Sequence, residues 1–189
     1  MVLFVLFVIY NPLPMRLLIF IVVGVVAGLL VLAGIVALIG SRLPKAHVAS
    51  RSILLHRSPQ DVYAVVRDFD SAPKWRSDVK RIEVDAQRGQ PVYFREEGKN
   101  GTINYELVDD VPAQRMVTRI RDKDLGFSGQ WTYLFALENS GTRVTIREDG
   151  EVSNVIFRFM SHYIFGQTAT IDSYLTSLAK HFGENATLQ

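Results

Sequence analysis

The sequence contains no cysteine, which removes disulfides, thiol catalysis and thiolate metal sites at once. Its four histidines, His47, His56, His162 and His181, show no metal-ligand spacing. No G-x-S-x-G, H-E-x-x-H, P-loop or G-x-G-x-x-G motif occurs, and Gly126-Phe127-Ser128-Gly129 reads only as a turn. A strong basic excess is missing too: 21 Lys and Arg stand against 19 Asp and Glu. A nucleic-acid partner needs a basic face, so none is expected. On these grounds neither a metal nor a cofactor is expected.

What is present is one long apolar run. Leu17 to Ile39 is uncharged over about 23 residues, the length a helix needs to cross a bilayer core. That run inflates the 48% apolar content. Of all the charges only Arg16 precedes Ser41, so the remainder is close to neutral. The expected organisation is an N-terminal extension over 1–16, a transmembrane helix over 17–39 and a linker over 40–46. One domain over 47–184 and a frayed tail over 185–189 complete it. At roughly 145 residues the soluble part suits a single core.

Met1 to Tyr10 is apolar but too short to span, and Asn11-Pro12-Leu13-Pro14 interrupts any helix. Met15 is therefore an alternative start to Met1. A retained anchor is the expectation, because the run exceeds a signal-peptide core and no A-x-A site closes it; a cleaved signal is the rival. Arg42, Lys45 and Arg51 outnumber Arg16, which favours a cytoplasmic head by a narrow margin.

Past the linker, His47 to Leu55 is β-like. Ser58-Pro59 followed by Asp61 is a helix start of capping-box type, and Val62, Val65, Val66 and Phe69 give that helix one buried face. Lys74-Trp75 closes a second short helical turn that returns the indole to the core. Strands are expected over Lys80–Ala86, Val92–Glu97, Thr102–Val108, Arg115–Arg121, Gln130–Leu137 and Thr142–Val152. The connections Arg88-Gly89-Gln90-Pro91, Lys99-Asn100-Gly101 and Asn139-Ser140-Gly141 imply antiparallel hairpins. From Asn154 to Gly183 the period turns helical: Ile156, Met160, Tyr163, Gln167, Ile171, Tyr174, Leu178 and Phe182 predict one long amphipathic helix lying on the sheet.

A strand, two short helices, six strands and a long helix is the order of the α+β helix-grip fold. The chain also resembles the START-like superfamily, also called SRPBCC, with its polyketide cyclase/lipid-transport branch. The matching stretches are Arg51–Leu55 leading into Ser58-Pro59-Gln60-Asp61-Val62-Tyr63, Phe69–Pro73 with Trp75, Gly141–Ile146, Glu148-Asp149-Gly150, and Ala169–Asp172 with Tyr174-Leu175. The resemblance covers about 47 to 184 and is specific for fold, since this superfamily shares a cavity and not a reaction. It implies an apolar cavity between sheet and long helix for lipids, polyketides or other hydrophobic ligands. Bacterial members with one N-terminal membrane helix look like this chain, which implies a single-pass protein of a bacterial inner membrane.

Trp131, Tyr133 and Phe135 alternate on one strand and are expected to point inward, either lining a cavity or filling the core. Trp75, Tyr105 and Tyr163 carry the same two readings. Glu148 follows Val144 and Ile146 in register, so strict alternation turns its carboxylate inward. A twist or bulge at Asp149-Gly150 that leaves it in water is the preferred reading, because burying an unpaired charge is costly. Arg119 and Arg121 are placed on the outer face. The functional expectation is a monomeric, membrane-tethered module, not an enzyme, that holds a hydrophobic small molecule or lipid through Trp75, Tyr105, Trp131, Tyr133, Phe135, Glu148 and Tyr163. An aromatase/cyclase-type enzyme acting on a polyketide-like chain is the alternative; it needs polar groups converging in the pocket.

Overall fold

Alternation of apolar and polar residues builds one antiparallel sheet of seven strands. The computed structural model describes residues 14–85, 92–99 and 101–189. The expectations for 1–13, for Ala86, for the Arg88–Pro91 turn and for Asn100 lie outside these. Two compact units are present, Met1–Leu43 and Pro44–Gln189. In the first, helix α1 (Met15–Arg42) is long and apolar enough to cross a membrane.

In the second, β1 (Ala46–Leu55) is followed by α2 (Pro59–Arg67) and a 3-10 helix (Phe69–Lys74). Strands β2 (Val79–Asp85), β3 (Val92–Gly98), β4 (Gly101–Val111), β5 (Arg115–Ile120), β6 (Phe127–Glu138) and β7 (Gly141–Val152) come next. The order across the sheet is β1-β7-β6-β5-β4-β3-β2, so a meander closes back on β1. Ser58 caps α2 as its sequence predicts, accepting from the Asp61 N–H at 3.2 Å, with Pro59 at the first helical position.

The inner face of the sheet carries Ile53, Leu55, Met116, Val144 and Ile146, all fully buried. Helix α4 (Ala169–His181) covers it with Ile171, Tyr174, Leu175 and Leu178. Arg51 of β1 also faces α4 and pairs with Asp172 at 3.0 Å. On the outer face Arg119 donates to Glu106 and Arg121 lies over the Tyr93 ring, as alternation requires.

The single long C-terminal helix expected from periodicity is not formed. The segment breaks into α3 (Val155–Met160), a π-helical turn (Ser161–Phe165) and α4. Gly166 sits between them at φ 79°, a left-handed conformation that glycine alone adopts without strain. The wider π turn also rotates the stripe, so Ile156 and Tyr163 emerge exposed while Ile171 onward stays buried. The frayed tail is also corrected. Gln189 exchanges two backbone hydrogen bonds with Ser52, both 2.9 Å, and its side chain accepts from Arg143 at 2.6 Å.

Candidate functional site

Tyr174, on the sheet-facing side of α4, is the hub of an interior aromatic group. Trp75, Trp131 and Tyr133 surround its ring at centroid distances of 5.2, 5.9 and 5.7 Å, the two indoles edge-on. Trp131 and Tyr133 reach it by strand alternation on β6. Trp75 reaches it because the 3-10 helix ends there, its N–H donating to the Ala72 carbonyl.

A charged cluster abuts this group. The Arg76 guanidinium lies 5.0 Å from the centre of the Tyr174 ring. It donates to both oxygens of Glu96, at 2.7 and 3.2 Å, and to Asp78 at 2.7 Å. Burial alone works to lower the pKa of Arg76, but Glu96 and Asp78 outweigh it, so the guanidinium is held more firmly charged than usual. Burial pushes the phenols of Tyr105, Tyr133 and Tyr174 up, so all three stay protonated at neutral pH. Trp75 Nε1, Arg76 Nε and Asp78 Oδ1 are buried with no hydrogen-bond partner among the described residues. Two donors and one acceptor are thereby left open beside the rings.

Glu148 corrects the expectation that it lies in water. Pairing of β7 with β1 and with β6 runs unbroken through Glu148, Asp149 and Gly150, so alternation persists and the side chain turns inward. Its register partner on β6 is Trp131, whose indole offsets part of the cost of burying the carboxylate. His47 Nε2 lies 3.6 Å from Glu148 Oε1. Gly150, opposite His47, makes this possible, since a Cβ there would run into the imidazole. Burial raises the Glu148 pKa above the ordinary carboxyl value, only partly opposed by His47 and Trp131. An acid with a raised folded-state pKa binds protons more readily folded than unfolded, so it favours the fold below its ordinary pKa and loses that contribution as pH rises through the raised value. Glu148→Gln is therefore expected to raise the Tm more at pH 7 than at pH 4. Equal changes at both pH values would show that the carboxylate is solvated.

The other expected residues divide. Tyr105 stacks on Phe94 at 5.0 Å, and Phe94 in turn on Phe69 at 4.2 Å, on the flank of the Arg76 cluster. Phe135 is buried edge-on against Tyr63 of α2, outside the ring contacts of Tyr174. Tyr163 is 57% exposed, against Phe159 and His162 at the surface, and does not join the group. Sequence reasoning missed Arg76, Glu96, His47 and the central place of Tyr174. The inward register of Glu96 with Val92 and Phe94 was the available signal. Among the described residues no cluster of His, Asp and Glu could hold a metal ion.

Several solved structures share this architecture. A START superfamily protein from Mycobacterium smegmatis is similar with a TM-score of 0.59 at 17% identity, over 71% of this chain and 96% of that one. The Zhui aromatase/cyclase from Streptomyces sp. R1128 is similar at 0.58 and 9%, over 71% and 93%. The di-domain ARO/CYC StfQ from the steffimycin biosynthetic pathway is similar at 0.59 and 14%, over 72% of this chain and 50% of its own length. The chain thus spans about half of that two-domain protein. At these identities the likeness is one of fold. No curated protein matches the chain. The family model for polyketide cyclase / dehydrase and lipid transport proteins matches residues 46–183, the whole sheet together with α4, and the chain belongs to that family.

Proposed function

We propose that the protein is a membrane-tethered binding module whose sheet and α4 hold a hydrophobic ligand bearing a polar group. The observation that carries this reading is the ring cage around Tyr174 with unpaired polar atoms of Trp75, Arg76 and Asp78 beside it. Rings give an apolar ligand area and shape, while buried donors and acceptors without partners favour a ligand that supplies hydrogen bonds. In this reading α1 is a retained single-pass anchor of a bacterial inner membrane, the head is cytoplasmic and the protein is monomeric. Tethering keeps the head concentrated at the lipid surface.

Native mass spectrometry of the full chain, released from purified membranes, tests the reading. The wild type is expected to carry an apolar small molecule that Trp131→Ala loses. Identical spectra for the two proteins would count against it. The same membranes test the anchor, since a span held by hydrophobic transfer resists salt and alkaline extraction. Recovery of the protein in the soluble fraction, with a start beyond Ser41, would indicate cleavage.

One observation favours a second reading, an aromatase/cyclase-type enzyme. Glu148, turned inward beside His47 with a raised pKa, has the attributes of an acid–base group. Glu148→Gln separates the two: a carrier keeps its ligand, whereas an enzyme keeps binding and loses turnover of a polyketide-like substrate.

A further inference from the structure

We infer that the head carries a second, shallow membrane contact of its own: the α3–π segment, Val155–Phe165, sits in the interface of the bilayer that holds α1. This rests on the tethered reading above. Ile156, Phe157, Tyr163, Ile164 and Phe165 are each between 43% and 58% exposed, five large apolar side chains within eleven residues. A soluble surface that concentrates such side chains marks an interaction site.

The segment's charge is withdrawn from that surface. Arg158 is its one residue of fixed charge, and it is buried, with Nε donating to the Val152 carbonyl and Nη2 to that of Ser153, both at 3.0 Å. What remains outside is aliphatic and aromatic, with Tyr163 and His162 as amphipathic members. This is the composition of a segment lying at the level of lipid headgroups.

Its place in the fold names the occupant. The Val152 N–H, at the end of β7, donates to the Lys45 carbonyl at 2.9 Å, and Ala46 pairs with Glu151. Ser153 and Asn154 continue from there, both donating to the Gly126 carbonyl, and Asn154 caps α3. The apolar segment therefore leaves the sheet at the corner where the chain enters it from α1. From Arg42, the last residue of α1, to Ala46, the first of β1, the backbone reaches at most about 14 Å. Covalent connection alone keeps that corner beside the bilayer surface, with Arg42 and Lys45 at the depth of anionic headgroups. A soluble partner would have to compete with a lipid surface that is always within reach.

The absence of cysteine makes the test direct. Full-length Ile164→Cys, Leu137→Cys and Leu30→Cys, each carrying a nitroxide, are reconstituted in vesicles of phosphatidylcholine and phosphatidylglycerol. Collision rates are then measured with oxygen, which concentrates in lipid, and with a water-soluble nickel chelate. Leu137 is 76% exposed near the end of β6, beside the hairpin to β7 at the other end of the sheet, and reports water; Leu30 lies within α1 and reports the bilayer. The expected result is that the Ile164 label is several-fold less accessible to nickel than the Leu137 label, and shallower than Leu30. An Ile164 label as accessible as Leu137, with Leu30 embedded, overturns this inference alone. A water-exposed Leu30 label overturns the tethered reading and this one with it. Spin–spin broadening at Ile164 that vanishes on dilution would identify a second copy of the chain as the occupant and also overturn the proposal. Phe165→Cys serves as the second position if the Ile164 variant loses its near-ultraviolet circular dichroism.

Discussion

Arg76→Ala is expected to cost about 3–5 kcal/mol of folding free energy, because it leaves the carboxylates of Glu96 and Asp78 inside the fold without their cation. Against a typical total of about 5–15 kcal/mol, that brings the head close to unfolding at physiological temperature. Denaturant titration of the full chain, read by near-ultraviolet circular dichroism, measures it. The triple variant Arg76→Met, Glu96→Leu, Asp78→Leu is expected to regain most of the loss, since removing a whole buried ionic cluster is far cheaper than breaking one. A loss below about 1 kcal/mol for Arg76→Ala would show that the two carboxylates are solvated, as surface pairs are.

Tyr174→Ala is the second large effect. The ring is buried against two indoles, a phenol and a guanidinium, so deleting it removes contacts to four neighbours and opens a cavity, at about 3–5 kcal/mol for a buried aromatic. Trp131→Ala provides the contrast. Trp131 is only partly buried and forms one wall of the group, so its removal is expected to cost less stability while abolishing ligand retention. Equal stability losses for both variants, with retention falling in proportion, would assign Trp131 to the core and remove the argument for a pocket there.

The sheet was legible because its strands alternate cleanly. Ile103, Tyr105 and Leu107 against Asn104 and Glu106, or Val144 and Ile146 against Arg143 and Thr145, leave no choice of face, and all seven strands occur within a few residues of their expected bounds. The Ser58 cap was legible for a local reason, since its partner lies three residues away. The break at Gly166 was not. Apolar residues continue at helical spacing through it, and a stripe says which residues are alike, not whether one continuous axis carries them. The ionic cluster was hidden differently. Arg76, Asp78 and Glu96 look like surface charges, and only the pairing of β3 with β2, which brings Glu96 beside the turn after the 3-10 helix, makes them an interior set. Glu148 is hidden because buried glutamates are rare, although its own register points inward; the partners that make burial tolerable, His47 and Trp131, come from two other strands.

The sheet order also dictates when the head can form. β1 leaves the ribosome directly behind α1, yet the strand it lies against is the last one made: Ser50 and the Ile146 carbonyl it bonds are 96 residues apart in the chain. At about 5–20 residues per second, β1 waits roughly 5–20 s with both edges unpaired before β7 can close on it. Edge strands in that state pair readily with whatever is near. Truncation anywhere before β7 is therefore expected to leave an unclosed sheet and not a smaller folded domain, making the last quarter of the chain the step that commits the protein to its native state.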